Sequence, residues 1–378
     1  MRSRVAVLKT DVGRVLEDYG RVMRLAGYQQ VISRDVPTLI KLNLSWTKYF
    51  PSCSSQPWQL EGVLQALRED GYAPSSLIPV ENKTVVTEPW KGARNNRWLP
   101  VLEQQGLRFQ PLTETKWTVY RFKSKLLRLN QIFPDGIEIP EIYIGKQILH
   151  LPTVKTHGHS ITTGAIKNAF GGLLKEVRHY AHKHIHEVLV DLLLMQRELH
   201  PGVFAVMDGT VAGDGAGPRT MVPKVKDFIL ASADSVAIDA VAARMMGFDP
   251  MGIPYLRLAH EMKLGVADPR DIEVVGASIE DVNFGFQVSR SFVIWGDQML
   301  RRGPLRFLEK VALHSPLVVW APMASNVYHD WLWYPLVGQS RIREFRRTKW
   351  GRFMDERYRP GGPSPMRADS PEQVRANR

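Results

Sequence analysis

The sequence has little cysteine, no strong compositional bias and no long uninterrupted apolar run. Cys53 is the one cysteine among 378 residues. That excludes an intramolecular disulfide and an iron–sulfur cluster held by four cysteines of this chain. The start, MRSRVAVLKTDVGRV, has only a short apolar run, so it does not read as a signal peptide and a cytoplasmic address is the expectation. Late in the chain, SPLVVWAPMASNVYHDWLWYPLVG is apolar and aromatic, but three prolines and the pair His329-Asp330 interrupt it, which argues against a transmembrane helix. An apolar share of 44% with 23% charged residues places the chain among soluble globular proteins. No internal repeat or low-complexity tract is visible.

Charge is unevenly spread. The net charge is +12, and residues 290–378 hold 16 Arg/Lys against 8 Asp/Glu, which is +8 of it. Such a balance suits anionic partners, whether a nucleotide, a nucleic acid or an acidic membrane surface; a solvated cationic face explains it equally.

Along the chain, strand-like and helix-like stretches alternate. RVAVLK, PTLIKLNL and SSLIPV read as strands, while VGRVLEDYGRVMRLAGY and PWQLEGVLQALREDGY read as helices closing near glycines. HIHEVLVDLLLMQREL and DSVAIDAVAARMMG are further helices, and GVFAVMDG and DFILAS further strands. Alternation of this kind predicts an α/β fold with a mostly parallel sheet flanked by helices. Residues 1–280 are assigned to that fold, with a break between two lobes near 115–145. Residues 281–358 form a basic, aromatic, helical C-terminal extension, and the Pro/Gly-rich residues 359–378 a disordered tail.

Three clusters carry chemistry. In LPTVKTHGHSITTGAIKNAFGGLL, residues 151–174, Leu151–Val154 would finish a buried strand and release Lys155, His157 and His159 at its carboxyl end, where α/β sheets bind ligands. Thr162 or Thr163 would cap a following helix, and Gly164 would let an anion approach its free N–H groups. In KEVRHYAHKHIHE, His179, His182 and His186 share one helical face, and His182 and His186 have the spacing of metal-binding helices. No third ligand shows in the pattern, and solvated or anion-binding histidines are the plainer alternative. In VMDGTVAGDGAGP, Asp208 and Asp214 sit in a glycine-rich turn where they would bind a ligand or accept loop N–H groups. The turn has neither the dinucleotide nor the phosphate-loop spacing. Downstream, Asp234 reads as a helix cap, and Asp239, one turn into an apolar helix, is aimed at a site.

These motifs, with the early LIKLNLSW and with ILASADSVAIDAVAARMMGFDP, resemble the family catalogued as domain of unknown function 362, over roughly residues 35 to 280. The family pattern is a strand ending in K-x-H, then T-G-x-x-K-N-x-F-G, then M-D-G with a glycine loop, then S-x-D-x-V-A-x-D-x-V-A. Many members carry an iron–sulfur insert, from which this chain departs. A local similarity links His157 and Lys167, ten positions apart, to a segment of the nickel-pincer lactate racemases. That resemblance implies an acid/base histidine, a lysine that tethers a cofactor, and a metal-ligating histidine downstream near His182 or His184. Thr163-Gly164-Ala165 replaces the Ser-Gly-Gly turn of those enzymes.

The expectation is therefore an enzyme acting on a small anionic metabolite or phosphate-bearing cofactor, with racemase- or isomerase-like chemistry implied by the weaker resemblance. His157 would give or take a proton, and Lys167 would bind the anion or form a covalent bond to a carbonyl. Lys41, Asn43, Lys155, Gly164, Asn168, Asp208, Asp214 and Asp239 would line the crevice, and His182, His184 and His186 would hold a divalent metal. The competing readings are a non-catalytic module for nucleotides or nucleic acid, the latter bound weakly and without sequence preference, and a peripheral membrane protein that meets the bilayer through residues 316–352.

Overall fold

The structure, a computed structural model, describes residues 3–84, 87–175, 181–289, 295–296, 299, 323 and 325–359. The strands are β1 (Ser3–Lys9), β2 (Thr38–Lys41), β3 (Leu77–Glu81), β4 (Gln110–Pro111), β5 (Trp117–Tyr120), β6 (Ile137–Pro140), β7 (Gln147–His150), β8 (Thr153–His157), β9 (Ile161–Thr163), β10 (Val203–Ala216), β11 (Thr220–Ser232) and β12 (Ile272–Gly276). Ten of them form one sheet in the order β12-β1-β11-β10-β7-β2-β3-β4, with β8 beside β10 and β9 beside β8. Pairing in it is parallel except at β1–β11, β10–β11 and β8–β9. β5 and β6 make a small antiparallel sheet of their own, and Ile137, Ile139 and Tyr143 join one of the main cores.

Helices cover both faces, as the alternation predicts. They are α1 (Val15–Leu25), α2 (Pro57–Glu69), α3 (Pro89–Asn95), α4 (Trp98–Gln104), α5 (Leu129–Ile132), α6 (Ala165–Leu173), α7 (Ile185–Leu199), α8 (Ser235–Met246) and α9 (Pro254–Glu261). Tyr19, Val22, Trp58, Val63, Leu67 and Trp98 pack one core against one face. Ile166, Phe170, Val188, Leu192, Val236 and Tyr255 pack the other. Local signals explain the helix ends. Pro57 sits at the first turn of α2. Asp234 caps α8 by accepting from the N–H groups of Val236 and Ala237 at 2.9 and 3.0 Å, and Gly247, at φ +101°, closes it.

β2, β7 and β8 are buried along their whole length, as central strands covered on both faces must be. Their sequences nevertheless end in polar residues: Lys41, His150, and Lys155 with His157. Polar groups are thus carried to the carboxyl edge of the sheet and buried there. Two expectations are corrected here. Lys155 and His157 lie within β8, which turns through Gly158–Ser160 into β9, so they do not follow the strand. The VMDGTVAGDGA segment is extended, because β10 runs on through it as one arm of a long hairpin with β11.

Within the C-terminal extension residues 281–289 are irregular, whereas residues 325–357 are largely helical. A π-helical segment, Val327–Gly338, leads into helices Gln339–Arg346 and Lys349–Arg357. Phe345, Trp350, Met354 and Tyr358 enter the core of α1 and α2, and Trp350 stacks on Trp58 at 5.2 Å. Residues 360–378, His179 and residues 316–322 lie outside the described residues.

Candidate functional site

Lys155 defines the site. Its side chain is fully buried, and its ammonium donates to Asn43 Oδ1 (2.5 Å), Ser45 Oγ (3.1 Å) and the Cys53 carbonyl (2.5 Å). All three acceptors are neutral. Burial pushes its pKa down to about 8. Such a depression corresponds to roughly 3 kcal/mol of disfavoured charge at neutral pH. Lys41, one strand over, is buried as well but has a counter-ion: its Nζ lies 2.9 Å from Glu81 Oε1.

Asn43 and Asn168 join the two lysines. Asn43 accepts from Lys155 and donates from Nδ2 to Asn168 Oδ1 at 3.2 Å. Asn168 Nδ2 in turn reaches the Lys41 carbonyl (3.1 Å) and His150 Nδ1 (3.3 Å). His150 Nε2 therefore carries the ring hydrogen and donates to Gln196 Oε1 at 2.6 Å. Burial holds His150 neutral, at about 3. Lys41, Asn43, Lys155 and Asn168, singled out separately in the sequence, thus form one buried polar network.

His157 is two residues beyond Lys155 on β8 and is 4% exposed. Its Nδ1 accepts from the N–H groups of His159 (3.2 Å) and Ser160 (3.3 Å), the turn that leaves the strand. Burial first, and then the charge of Lys167, hold its pKa well below the usual value. The ring is neutral, and with Nδ1 occupied its hydrogen sits on Nε2. In this state it is a hydrogen-bond donor. His159 and His182 continue from it as a run of rings, with centroids 5.8 and 5.3 Å apart.

Helix α6 brings Lys167 and Asn168 to this edge, and two glycines make its position available. A Cβ on Gly164 would lie 2.0 Å from Asp239 Oδ1, and one on Gly172 would lie 2.3 Å from the Tyr143 hydroxyl and 2.9 Å from Lys41 Cε. Asp239 caps α6 from the neighbouring helix, accepting from the N–H groups of Ala165 (2.6 Å) and Ile166 (3.2 Å). This corrects two expectations: neither Thr162 nor Thr163 is the cap, since both lie in β9, and the α6 N-terminus is occupied by a carboxylate of the chain itself. Burial pushes Asp239 up to about 7. Lys167 lies over the Phe170 ring, 5.4 Å from its centre.

Other candidates lie apart from this network. Asp208 accepts from Tyr19 Oη (2.6 Å), Trp58 Nε1 (3.0 Å) and Thr210 N (3.0 Å), so it serves the packing of α1 and α2 on the sheet. Burial raises it to about 6. Asp214 accepts from the Gln287 N–H near the hairpin tip. The i, i+4 histidine pair is not formed, because α7 begins at Ile185: His182 precedes the helix, His184 sits at its N-cap, and His186 stacks on Tyr255. No group of three His, Cys, Asp or Glu among the described residues is arranged to hold a metal.

Glu81, His150, Gln196 and Arg219 are site neighbours that sequence reasoning missed. Glu81 had a signal, as a charge closing the apolar strand SSLIPV. Arg219 had none beyond its turn. Its Nη2 donates to Ser325 Oγ (2.8 Å), while Nη1 is buried without a hydrogen-bond partner among the described residues, and burial lowers its pKa to about 10. A cavity of about 310 Å³, lined by Ser3, Arg197, Val203 and Asp234, lies at the amino end of the strands, and Gln196 is part of its wall.

The family model described as "Domain of unknown function (DUF362)" matches residues 38–244, the span that holds every residue of the Lys155 network. The chain is also similar to the "Thylakoid-associated protein sll1697" of Synechocystis sp., with 23% identity over 246 residues that cover 61% of this chain and 71% of that protein.

Proposed function

We propose, taking as premise that the chain belongs to the domain of unknown function 362 family, that it is an enzyme whose site binds a small anionic metabolite or a phosphate-bearing cofactor at the carboxyl edge of the sheet. One observation carries this reading: Lys155 is fully buried and held only by neutral acceptors. A cation kept in this way has no hydrogen-bonded counter-ion, only the electrostatic pull of Glu81, and an anion would offset the remaining charge. Lys167 adds a second cation that acts on His157. His157, neutral and carrying its hydrogen on Nε2, suits donation to a carboxylate, phosphate or developing enolate oxygen. A role as general base would need the other tautomer, which the turn at His159–Ser160 disfavours. Racemase- or isomerase-like chemistry is compatible with a donor histidine beside two lysines. The divalent metal finds less support, since His182, His184 and His186 diverge.

Thermal unfolding with inorganic phosphate, oxalate or lactate tests this reading. Ligand binding to the folded state raises the melting temperature in proportion to the logarithm of ligand concentration. A salt-sensitive shift with DNA instead, and none with small anions, would favour the nucleic-acid module.

A second reading concerns location. The Synechocystis protein is named as thylakoid-associated, and no helix among the described residues is long and apolar enough to cross a membrane. Peripheral membrane contact through residues 316–352, by a protein otherwise in the cytoplasm, fits both.

A further inference from the structure

The segment Val327–Gly338 is apolar on more faces than a surface helix needs. Its polar side chains turn inward. His329 is 3% exposed, and Asp330 accepts from Trp46 Nε1 at 2.6 Å while its carbonyl accepts from Lys48 Nζ at 2.9 Å. Several of its large apolar side chains turn outward: Trp331 is 76% exposed, Leu336 75% and Leu332 51%, and Val327 is exposed too. A surface helix of a soluble protein would keep such side chains out of water, and large apolar side chains exposed within one short segment mark an interaction surface.

Charge indicates what the surface meets. The next residues, 339–359, hold 8 Arg/Lys against 3 Asp/Glu. Several of these cations are committed within the chain: Arg341 to the Thr220 and Met221 carbonyls, Lys349 to Asp11 and Asp227, and Arg357 to Glu61. Arg343 and Arg347 are exposed, and neither side chain is committed to the chain among the described residues. Exposed tryptophan and leucine followed along the chain by exposed arginines match the headgroup layer of an anionic bilayer, where rings sit at the boundary, aliphatic groups below it and guanidinium groups on phosphates.

We infer that Trp331, Leu332 and Leu336 form an interfacial anchor that inserts into an anionic bilayer surface, with Arg343 and Arg347 on its phosphates. This deepens the peripheral-membrane reading above and rests on it. The inner face of the same segment packs Trp333 and Tyr334 on Trp46 and Phe50. Those two rings belong to the loop that supplies Ser45 and Cys53 to Lys155, so the anchor segment packs on a loop of the candidate site.

Co-sedimentation of the full chain with vesicles of phosphatidylcholine, with and without phosphatidylglycerol, tests the anchor. The full chain should bind the anionic vesicles, bind neutral ones weakly, and lose affinity with added salt. The double change Trp331→Ser with Leu336→Ser should weaken binding by about tenfold or more, with the melting temperature and elution volume unchanged. Arg343→Gln with Arg347→Gln should flatten the salt dependence. If the native chain binds neither vesicle, both the anchor and the peripheral reading fall. If native chain and double variant bind alike, peripheral association stands and this anchor is wrong. A double variant that melts earlier without affecting vesicle binding would mean the face is covered by the chain itself. A native dimer that the double change dissolves would make a second copy the occupant. Either result overturns the proposal.

Discussion

At the scale of single residues, burial moves the titration of the groups at the candidate site away from its ordinary range. His157 is neutral and fixed in one tautomer by two backbone N–H groups. Replacing it by Gln keeps a donor but shifts its position. Once an activity is found, His157→Gln should lower turnover by about two to four powers of ten with the melt preserved, whereas His159→Gln should have a much smaller effect. Equal, mild losses from both would leave His157 a binding role only, and an unfolded His157→Gln protein would make it a core histidine. Asp239 behaves differently. Its carboxylate caps a helix, so Asp239→Ala should destabilise the fold by about 1–3 kcal/mol through two orphaned N–H groups. Chemical denaturation of the variant measures this directly, and an unchanged midpoint would remove the capping role.

At the scale of elements, α6 is placed by what its glycines omit. Gly164 is extended, at φ −173°, so its backbone suits any residue and only the approach of Asp239 calls for glycine. Gly172 admits both Tyr143 and Lys41. Gly172→Ala should therefore displace α6 from Lys41 and cost about 1–3 kcal/mol. It should also reduce any anion-induced thermal shift, because Asn168 and Lys167 travel with the helix. Gly145→Ala supplies the contrast. No atom lies within 4 Å of a Cβ there, so its cost is backbone strain alone at φ +72°, and the anion response should persist. A full anion response in Gly172→Ala would uncouple α6 from the site.

At the scale of the whole molecule, the buried titratable groups predict an acid profile. His150, His157, His200 and His329 are all held below their ordinary value by burial, the first, third and fourth at about 3, 4 and 3. Such groups take up protons on unfolding between their folded value and about 6.5, so stability falls as pH drops through that window. Asp208 and Asp239, raised to about 6 and 7, act in the opposite sense: their contribution is full below about 4 and is lost as pH rises through those values. The histidines outnumber them, and stability should decline from pH 6.5 toward 4. Asp239→Asn should steepen that decline by roughly 1.4 kcal/mol per pH unit, since one opposing group is gone; a shallower decline in urea midpoints would contradict the assignment. Much of this molecule was legible in the sequence. Strand–helix alternation gave the mostly parallel sheet, and Asp234 gave the start of α8. Lys41, Asn43, Lys155 and Asn168 were found separately, as polar residues at apolar strand ends or on a glycine-flanked helix. Pairings across the sheet were not legible. Asp239 and the α6 N-terminus are 74 residues apart, Asp208 serves a face that periodicity alone could not assign, and the histidine spacing misled because the helix starts later than the pattern. The central claim is that Lys155 is kept as a buried cation in order to meet an anion. Calorimetric titration of the native chain and of Lys155→Met with oxalate and phosphate tests it most directly. The account predicts binding by the native chain that the variant loses, with a variant melt no more than slightly lower; binding that survives in Lys155→Met would contradict it.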